Sequence, residues 1–295
     1  MKTERTPATN ILSALLELTK PRIMVMVLVT TTFSFILAGG HFSSPQFLYL
    51  LLGTALVKGG AGALNHYGER HTDGLMERTR TRPLPAGILT PFQALQFGLG
   101  LSLAGVGILY IFTNGLTAVI ATLTVILYTL VYTPLKRKTW LNTSIGAIPG
   151  ALPAMGGWTA ATDQLDMGAW IMFAILFFWQ HPHFYAIAIM YREDYARADL
   201  RMLPVVDKQG RSTILQILVH SLLLLLVSIL PVFWHISGLV YLLGALLLGW
   251  IYLRSGLLLS HAFTMQNARA LLLSSVLYLP ALLLLIIIDA FLPVG

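Results

Sequence analysis

Residues 47–83 read FLYLLLGTALVKGGAGALNHYGERHTDGLMERTRTRP. The run from Phe47 to Tyr67 is almost wholly apolar and long enough to cross a hydrocarbon core, which takes roughly 17 to 25 residues. It continues directly into a charged segment. At helical pitch Asn65, Glu69 and Asp73 lie four apart and stack along one face. Two carboxylates at that spacing repel, and a divalent cation offsets the repulsion economically at a membrane interface. Mg²⁺ is hard, prefers oxygen, and commonly sits between one or two carboxylates and the phosphates of a substrate; Mn²⁺ answers the same description. Arg78, Arg80 and Arg82 follow with fork-shaped donors suited to phosphate oxygens. The plainer reading of 69–82 is a solvated loop whose charges only mark a membrane side.

The rest of the chain has the same character as 47–67. Of its 295 residues 56% are hydrophobic and 11% charged, and the mean hydropathy is +0.76, which makes the bilayer the expected solvent. About nine apolar stretches of spanning length follow one another, near 22–40, 47–67, 91–113, 115–135, 144–161, 167–190, 213–233, 236–256 and 269–292. The fifth is unusually rich in Gly, Ala and Pro. The expected fold is all-α, a polytopic membrane bundle around a central cavity. Residues 1–295 read as one membrane-embedded domain with a short polar segment at 1–20. The first apolar run continues to full spanning length, so it reads as an anchor rather than a cleaved leader. With no cysteine in the chain, disulfides and thiolate metal sites are excluded.

Sidedness follows from the basic residues. Lys2, Arg5, Lys20, Arg22, Arg70, Arg78, Arg80, Arg82, Lys136, Arg137, Lys138, Arg192, Arg197, Arg201, Lys208, Arg211, Arg254 and Arg269 all fall on one side of the predicted spans. The opposite loops, near 41–46, 114, 162–166 and 234–235, carry no Lys or Arg. The positive-inside rule then places the N-terminus in the cytoplasm, and an odd number of spans places Gly295 outside. A net charge of +7 explained in this way does not call for nucleic acid.

A second charged loop lies on the same side. It reads Tyr191-Arg-Glu193-Asp194-Tyr195-Ala-Arg197-Ala-Asp199-Leu-Arg-Met-Leu-Pro204, again carboxylates directly after a span. Two such clusters facing each other across a bundle mouth are expected to share metal ions and a diphosphate. A transporter would account for the many helices and for Lys58, an ionisable residue inside a span and so a functional candidate by default. It would not predict carboxylates and arginines gathered in two loops of one side. Lys58 sits seven residues before Asn65 and should look into the same cavity, toward a carboxylate or phosphate oxygen of a ligand. The alternative is a lysine that snorkels or stays neutral beside the close-packing Gly59, Gly60 and Gly62.

Asn65-x-x-x-Glu69-x-x-x-Asp73 followed by Met76-x-Arg78-Thr79 resembles the N-x-x-x-D-x-x-x-D signature of UbiA-type intramembrane prenyltransferases. Further matches run along the chain: Lys20-Pro21-Arg22, Tyr132-Thr-Pro-Leu-Lys136-Arg137, and Ile145-Gly146 through Gly150-Ala151-x-Pro153. Trp179-Gln180-x-Pro182-His183, Asp194-Tyr195-x-x-Ala198 and Met202-Leu203-Pro204 are similar to the element that sets the haem-modifying branch of that family apart from its quinone-type relatives. There are departures. Glu69 stands where the family usually has aspartate, Ala154 where a second proline is common, and Asp199 lies five rather than four residues after Asp194.

The resemblance implies transfer of the farnesyl group of farnesyl diphosphate to a vinyl group of haem b, with addition of water. Haem b is then substrate rather than cofactor. The implied metal positions are Asn65, Glu69, Asp73 and Asp194, with Asp199 as a further candidate. The implied diphosphate contacts are Arg78, Arg82, Lys136, Arg137 and Lys208. Imidazole is a common axial ligand of haem iron, so His183 is the implied haem contact, with Lys58 a candidate for a haem propionate. The bland reading of His183 is a buried histidine bonded to a neighbour. Tyr132, Phe184 and Tyr185 are candidates to stabilise an allylic cation through their ring faces. A quinone-type or chlorophyll-like acceptor fits the two loops equally well. Other expected partners are the lipid bilayer of a bacterial inner membrane and a downstream haem-modifying enzyme or oxidase.

Overall fold

The structure is a computed structural model and describes residues 10–291. Lys2, Arg5 and Gly295, which enter the sidedness argument, lie outside the described residues, as does the end of the ninth apolar stretch. The described residues are helical throughout, with no strand among them. In order they form α1 (Ile11–Leu18), α2 (Pro21–Leu37), α3 (Pro45–Leu75), α4 (Pro91–Phe112), α5 (Gly115–Ile126), a π-helical turn (Leu127–Tyr132), α6 (Thr133–Leu135) and α7 (Asn142–Thr162). Then come α8 (Met167–Met190), α9 (Arg192–Arg197), α10 (Leu203–Val206), α11 (Arg211–Ser228), α12 (Leu230–Phe233), α13 (Leu239–His261) and α14 (Met265–Phe291).

Among the described residues seven helices are long and apolar enough to cross a membrane, counting Gly115–Leu135 and Arg211–Phe233 as one each. The expected nine is reached with α2, one turn-fraction short at 17 residues, and α7, which is long enough at 21 residues but not among the seven apolar ones. The weak hydropathy of α7 has a packing cause. Fourteen of its residues are buried, so its outer surface meets neighbouring helices rather than lipid. Small residues are what let those neighbours approach closely.

Local signals place the helix starts. Pro21, Pro45 and Pro91 each stand in the first turn, where a missing N–H costs nothing. The Ser44 side chain accepts from Phe47 N, Thr90 from Gln93 N, Asn114 from Thr117 N and Asp166 from Ala169 N, satisfying backbone donors that would otherwise be orphaned. The length of α3 positions the site. Thirty-one residues at 1.5 Å per residue span ~46 Å, against a hydrocarbon core of ~30 Å. Its last turns, with Asn65, Glu69 and Asp73, therefore stand at the mouth of the bundle. There α3 lies against α4 with almost no side chain between them. A Cβ added at Gly60 would come within 2.7 Å of the Gly98 carbonyl oxygen.

Two expectations change in detail. The segment 69–82 is not a loop from its start, because α3 runs on to Leu75 and the signature lies wholly on a helix. The second charged loop, 191–204, carries α9 and the start of α10.

Candidate active site

Asn65, Glu69 and Asp73 share one face of α3, and each is met by a cation from a different part of the chain. Lys20 donates to Asn65 Oδ1. It is the residue before α2 and takes left-handed backbone angles, φ 55°, unusual for a residue with a side chain. Asn65 Nδ2 donates to Thr133 Oγ1 at 2.9 Å. Lys136 Nζ donates to Glu69 Oε1 at 2.5 Å. Burial alone would lower the Lys136 ammonium, but the adjacent Glu69 carboxylate outweighs it and holds the lysine well above its ordinary value. Arg82 Nη1 lies 2.8 Å from both oxygens of Asp73, whose side chain is fully buried. Thr79 Oγ1 donates to the Asp73 carbonyl at 2.8 Å and so draws the arginine-bearing turn back over the end of α3.

The π-helical turn gives this mouth its aromatic wall. Widening the helix there aligns Tyr128 and Tyr132, whose ring centroids are 5.4 Å apart, and Thr133 Oγ1 closes the turn by donating to the Tyr128 carbonyl at 2.8 Å. Such turns recur at functional sites. Lys136 Nζ lies 4.6 Å from the Tyr132 centroid; Lys58 and Lys20 lie 5.0 and 5.9 Å from that of Tyr128. Tyr132 rests on α7 at a position where no side chain fits: a Cβ at Gly146 would sit 2.5 Å from the ring.

Arg78 packs over Tyr191 and Tyr195, 4.9 and 5.6 Å from their centroids. Both Arg78 Nε and Arg82 Nε are buried without a hydrogen-bond partner. Buried donors are nearly always satisfied, and leaving one unmade costs ~1–3 kcal/mol. Lys20, Arg78, Arg82 and Lys136 also outnumber the two carboxylates. An anion with several oxygens supplies both what the charges and what the unpaired N–H groups lack.

The remaining sequence-derived residues divide. Asp194 does not meet Glu69 or Asp73 directly. It accepts from Glu77 N at 3.3 Å and from Arg197. Burial pushes its carboxyl up, yet the bonds from Arg197 and from the Glu77 and Arg78 backbone hold it below the ordinary aspartate value. Its place is beneath the turn that presents Arg78. Asp199 and Arg137 pair on the exposed rim at 3.5 Å. Lys208 is exposed. Among the described residues no three acidic or histidine side chains form a metal cluster; the oxygen donors gathered in one place are those of Asn65, Glu69 and Asp73. These are hard ligands on one helix face, the donor chemistry that suits Mg²⁺.

Lys58 lines a small apolar cavity of about 30 Å³ between α2, α3, α4, α5 and α7, together with Val27, Thr54, Leu109, Ile120 and Pro153 among others. His183 is half-buried on α8, stacked on Trp179 at 4.8 Å. Phe184 meets its ring edge-on at 5.5 Å. Tyr185 is buried in the core instead. His181, on the other side of α8, stacks on His220 at 3.8 Å and bonds Ser144. Sequence reasoning left Lys20 and Tyr128 without a role. The only signal for Lys20 was its place in Lys20-Pro21-Arg22; nothing in the sequence marks the π-helical turn that brings Tyr128 inward.

A membrane-crossing helical bundle with a buried, cation-rich mouth built on one overlong helix defines a class of intramembrane enzymes that handle polyanionic substrates. Residues 27–276 match the model of the UbiA prenyltransferase family, and the chain belongs to that family. It is 45% identical over 289 residues to the protoheme IX farnesyltransferase of Solibacter usitatus, an alignment covering 93% of this chain and 97% of that one. It is 46% identical over 278 residues to that of Salinibacter ruber, covering 94% and 98%. Among solved structures, digeranylgeranylglyceryl phosphate synthase superposes with a TM-score of 0.80 at 18% identity over 95% of this chain and 98% of the other. An Archaeoglobus fulgidus UbiA homologue bound to DMAPP and Mg²⁺ superposes with a TM-score of 0.65 at 15% identity, over 93% and 99%. At that identity these two show the fold alone.

Proposed function

We propose that this prenyltransferase moves the farnesyl group of farnesyl diphosphate to a vinyl group of haem b, with addition of water, to give diphosphate and the hydroxyethylfarnesyl haem, haem O. The observation that carries the diphosphate half is the pair of unpartnered guanidinium nitrogens, Arg78 Nε and Arg82 Nε, buried in the segment that follows Asp73, with Arg82 paired to that carboxylate. The haem half is supported by the two relatives of over 40% identity, each named a protoheme IX farnesyltransferase. Residues 1–295 act in this reading as one membrane-embedded domain, with the N-terminus and the mouth on the cytoplasmic side of a bacterial inner membrane. The bilayer delivers the apolar substrates, and a haem-modifying enzyme or oxidase takes the product.

The carbon–oxygen bond at C1 of the farnesyl chain breaks, and its electron pair leaves with the diphosphate. The vinyl π pair then forms the new carbon–carbon bond. Water adds to the remaining cationic carbon and loses a proton. Arg78, Arg82 and Lys136 hold diphosphate oxygens, most strongly as negative charge develops on them, with Arg137 and Lys208 supplying attraction from the rim. Asn65, Glu69 and Asp73 would hold the divalent cation, Mg²⁺ or Mn²⁺, with Asp194 steadying the Arg78 turn and Asp199 at the edge. When bound, that ion neutralises leaving-group charge. Tyr128 and Tyr132 offer ring faces to the allylic cation, and the apolar walls keep water from it. His183 contacts the haem. Lys58 stands as its propionate partner or as the partner of a diphosphate oxygen.

The test is mass spectrometry of haems extracted from a host lacking its own haem farnesyltransferase, with and without this chain. A haem heavier by a farnesyl group plus water is expected. Unmodified haem alone, from protein folded in the membrane, would refute the haem reading and point to a quinone-type acceptor.

A further inference from the structure

The hydrogen bonds around His183 fix its tautomer. Ser275 Oγ lies 2.6 Å from the Leu272 carbonyl oxygen, and a carbonyl only accepts, so the single hydroxyl proton of Ser275 is spent there. His183 Nδ1 lies 2.8 Å from the same Oγ. With the hydroxyl proton directed at that carbonyl, Nδ1 is placed to carry hydrogen and donate it. The ring is therefore the Nδ1–H form, and Nε2 keeps its lone pair. No described side chain hydrogen-bonds Nε2. The ring plane is fixed as well. Trp179 stacks on it at 4.8 Å with an interplanar angle of 21°. The Trp179 indole N–H donates to the Ser275 carbonyl at 2.8 Å, and Tyr252 on α13 donates to the Trp179 carbonyl at 3.1 Å. Ser275 is fully buried, so water does not compete for these bonds.

A neutral imidazole with one nitrogen donating to a fixed acceptor and the other presenting a lone pair is the arrangement by which proteins prepare a histidine for a metal. We propose that Ser275 is a positioning residue for haem: it locks His183 in the Nδ1–H form so that Nε2 is offered to the haem iron as an axial ligand. This rests on the reading of His183 as a haem contact. Ser275 itself touches neither iron nor porphyrin. It lies on α14, 92 residues from His183, and joins α14 to α8.

Two readouts separate this proposal from the reading beneath it. The first is solid-state ¹⁵N NMR of histidine-labelled protein in lipid, with His183→Ala used to assign the signal; it reports the tautomer without haem. The second is titration of the purified protein with ferric haem, followed by absorbance for histidine ligation. The unmodified protein should show Nδ1–H at His183 and a histidine-ligated spectrum. Ser275→Ala should populate the Nε2–H form and weaken haem binding by about 10- to 100-fold, the range for losing such a support, with farnesyl diphosphate binding unchanged. Ser275→Thr, which keeps the hydroxyl, should restore ligation. If His183→Ala leaves the ligated spectrum intact, the haem contact at His183 and the proposal fall together. If His183→Ala removes ligation while Ser275→Ala changes neither tautomer nor affinity, His183 stands and the role of Ser275 is refuted.

Discussion

Replacing Asp73 by asparagine keeps the side-chain volume and removes one charge, so the effect is electrostatic. The Asp73 side chain is fully buried, and Arg82 beside it is 13% exposed. Arg82 Nη1 sits 2.8 Å from each carboxylate oxygen. In the Asp73→Asn protein the guanidinium stays in place without its counter-charge, and removing one member of a buried pair costs ~3–5 kcal/mol. At ~1.4 kcal/mol per tenfold in rate, a loss falling on the diphosphate-binding geometry lowers kcat/KM between about a hundredfold and a few thousandfold. The assay is initial-rate farnesyl transfer in proteoliposomes, with monodisperse elution in detergent as the folding control. Because Arg82 acts with Asp73, Arg82→Gln should cost a similar factor. The double variant should then lose much less than the product of the two single losses. Activity of Asp73→Asn within threefold of the unmodified protein, or strict additivity in the cycle, would refute the pairing as the organiser of the site.

Glu69→Asp shortens the arm that reaches Lys136 at 2.5 Å but keeps the charge; turnover within tenfold of the unmodified protein is expected, against near-complete loss in Glu69→Gln, and equal losses would show that arm length alone sets the site. Gly146→Ala puts a methyl carbon 2.5 Å from the Tyr132 ring and should lower kcat at least tenfold with expression intact; normal turnover would remove Tyr132 from the reacting region. The Asp194 carboxyl is held below its ordinary value, burial opposing and the Arg197, Glu77 and Arg78 bonds prevailing. Its stabilisation is therefore complete above the unfolded value of ~3.9 and is lost as pH falls through the lower folded value. Melting temperatures of Asp194→Asn should lie below those of the unmodified protein by a constant margin from pH 5 to 8, the margin closing only in stronger acid; a margin that vanishes near pH 6 would contradict the bonding seen.

The bundle was legible because lipid-facing helices must be continuously apolar, and the signature could be read from α3 because its spacing of four is helical. The fold pairs Lys136 with Glu69 and Arg82 with Asp73, and sets Arg78 over Tyr191 and Tyr195. Asp194 bonds Arg197 and the Glu77 backbone and Asp199 pairs with Arg137 at the rim, partners that the sequence alone does not reveal. Which cation faces which carboxylate depends on how α2, α3 and the π-helical turn dock, and local spacing holds no information about that. Ser275 was invisible for the same reason: a serine on an apolar helix carries no mark until the helix beside it is known.

The small-residue composition of α7 also bears on how the chain enters the bilayer. A segment is admitted on its own apolarity at the moment of synthesis, before its neighbours exist, and 142–162 is not among the strongly apolar spans. The next helix, α8, packs directly on it, with Gln180 donating to the Ala147 carbonyl at 3.2 Å. The two are thus expected to insert as a hairpin, with α8 retaining α7. A chain ending after Thr162 should leave 142–162 on the side where it was made, and glycosylation mapping of the truncated and full chains reads that difference directly. The tight helix that seats Tyr132 thus makes the topology of the second half of the protein depend on the order in which it is made.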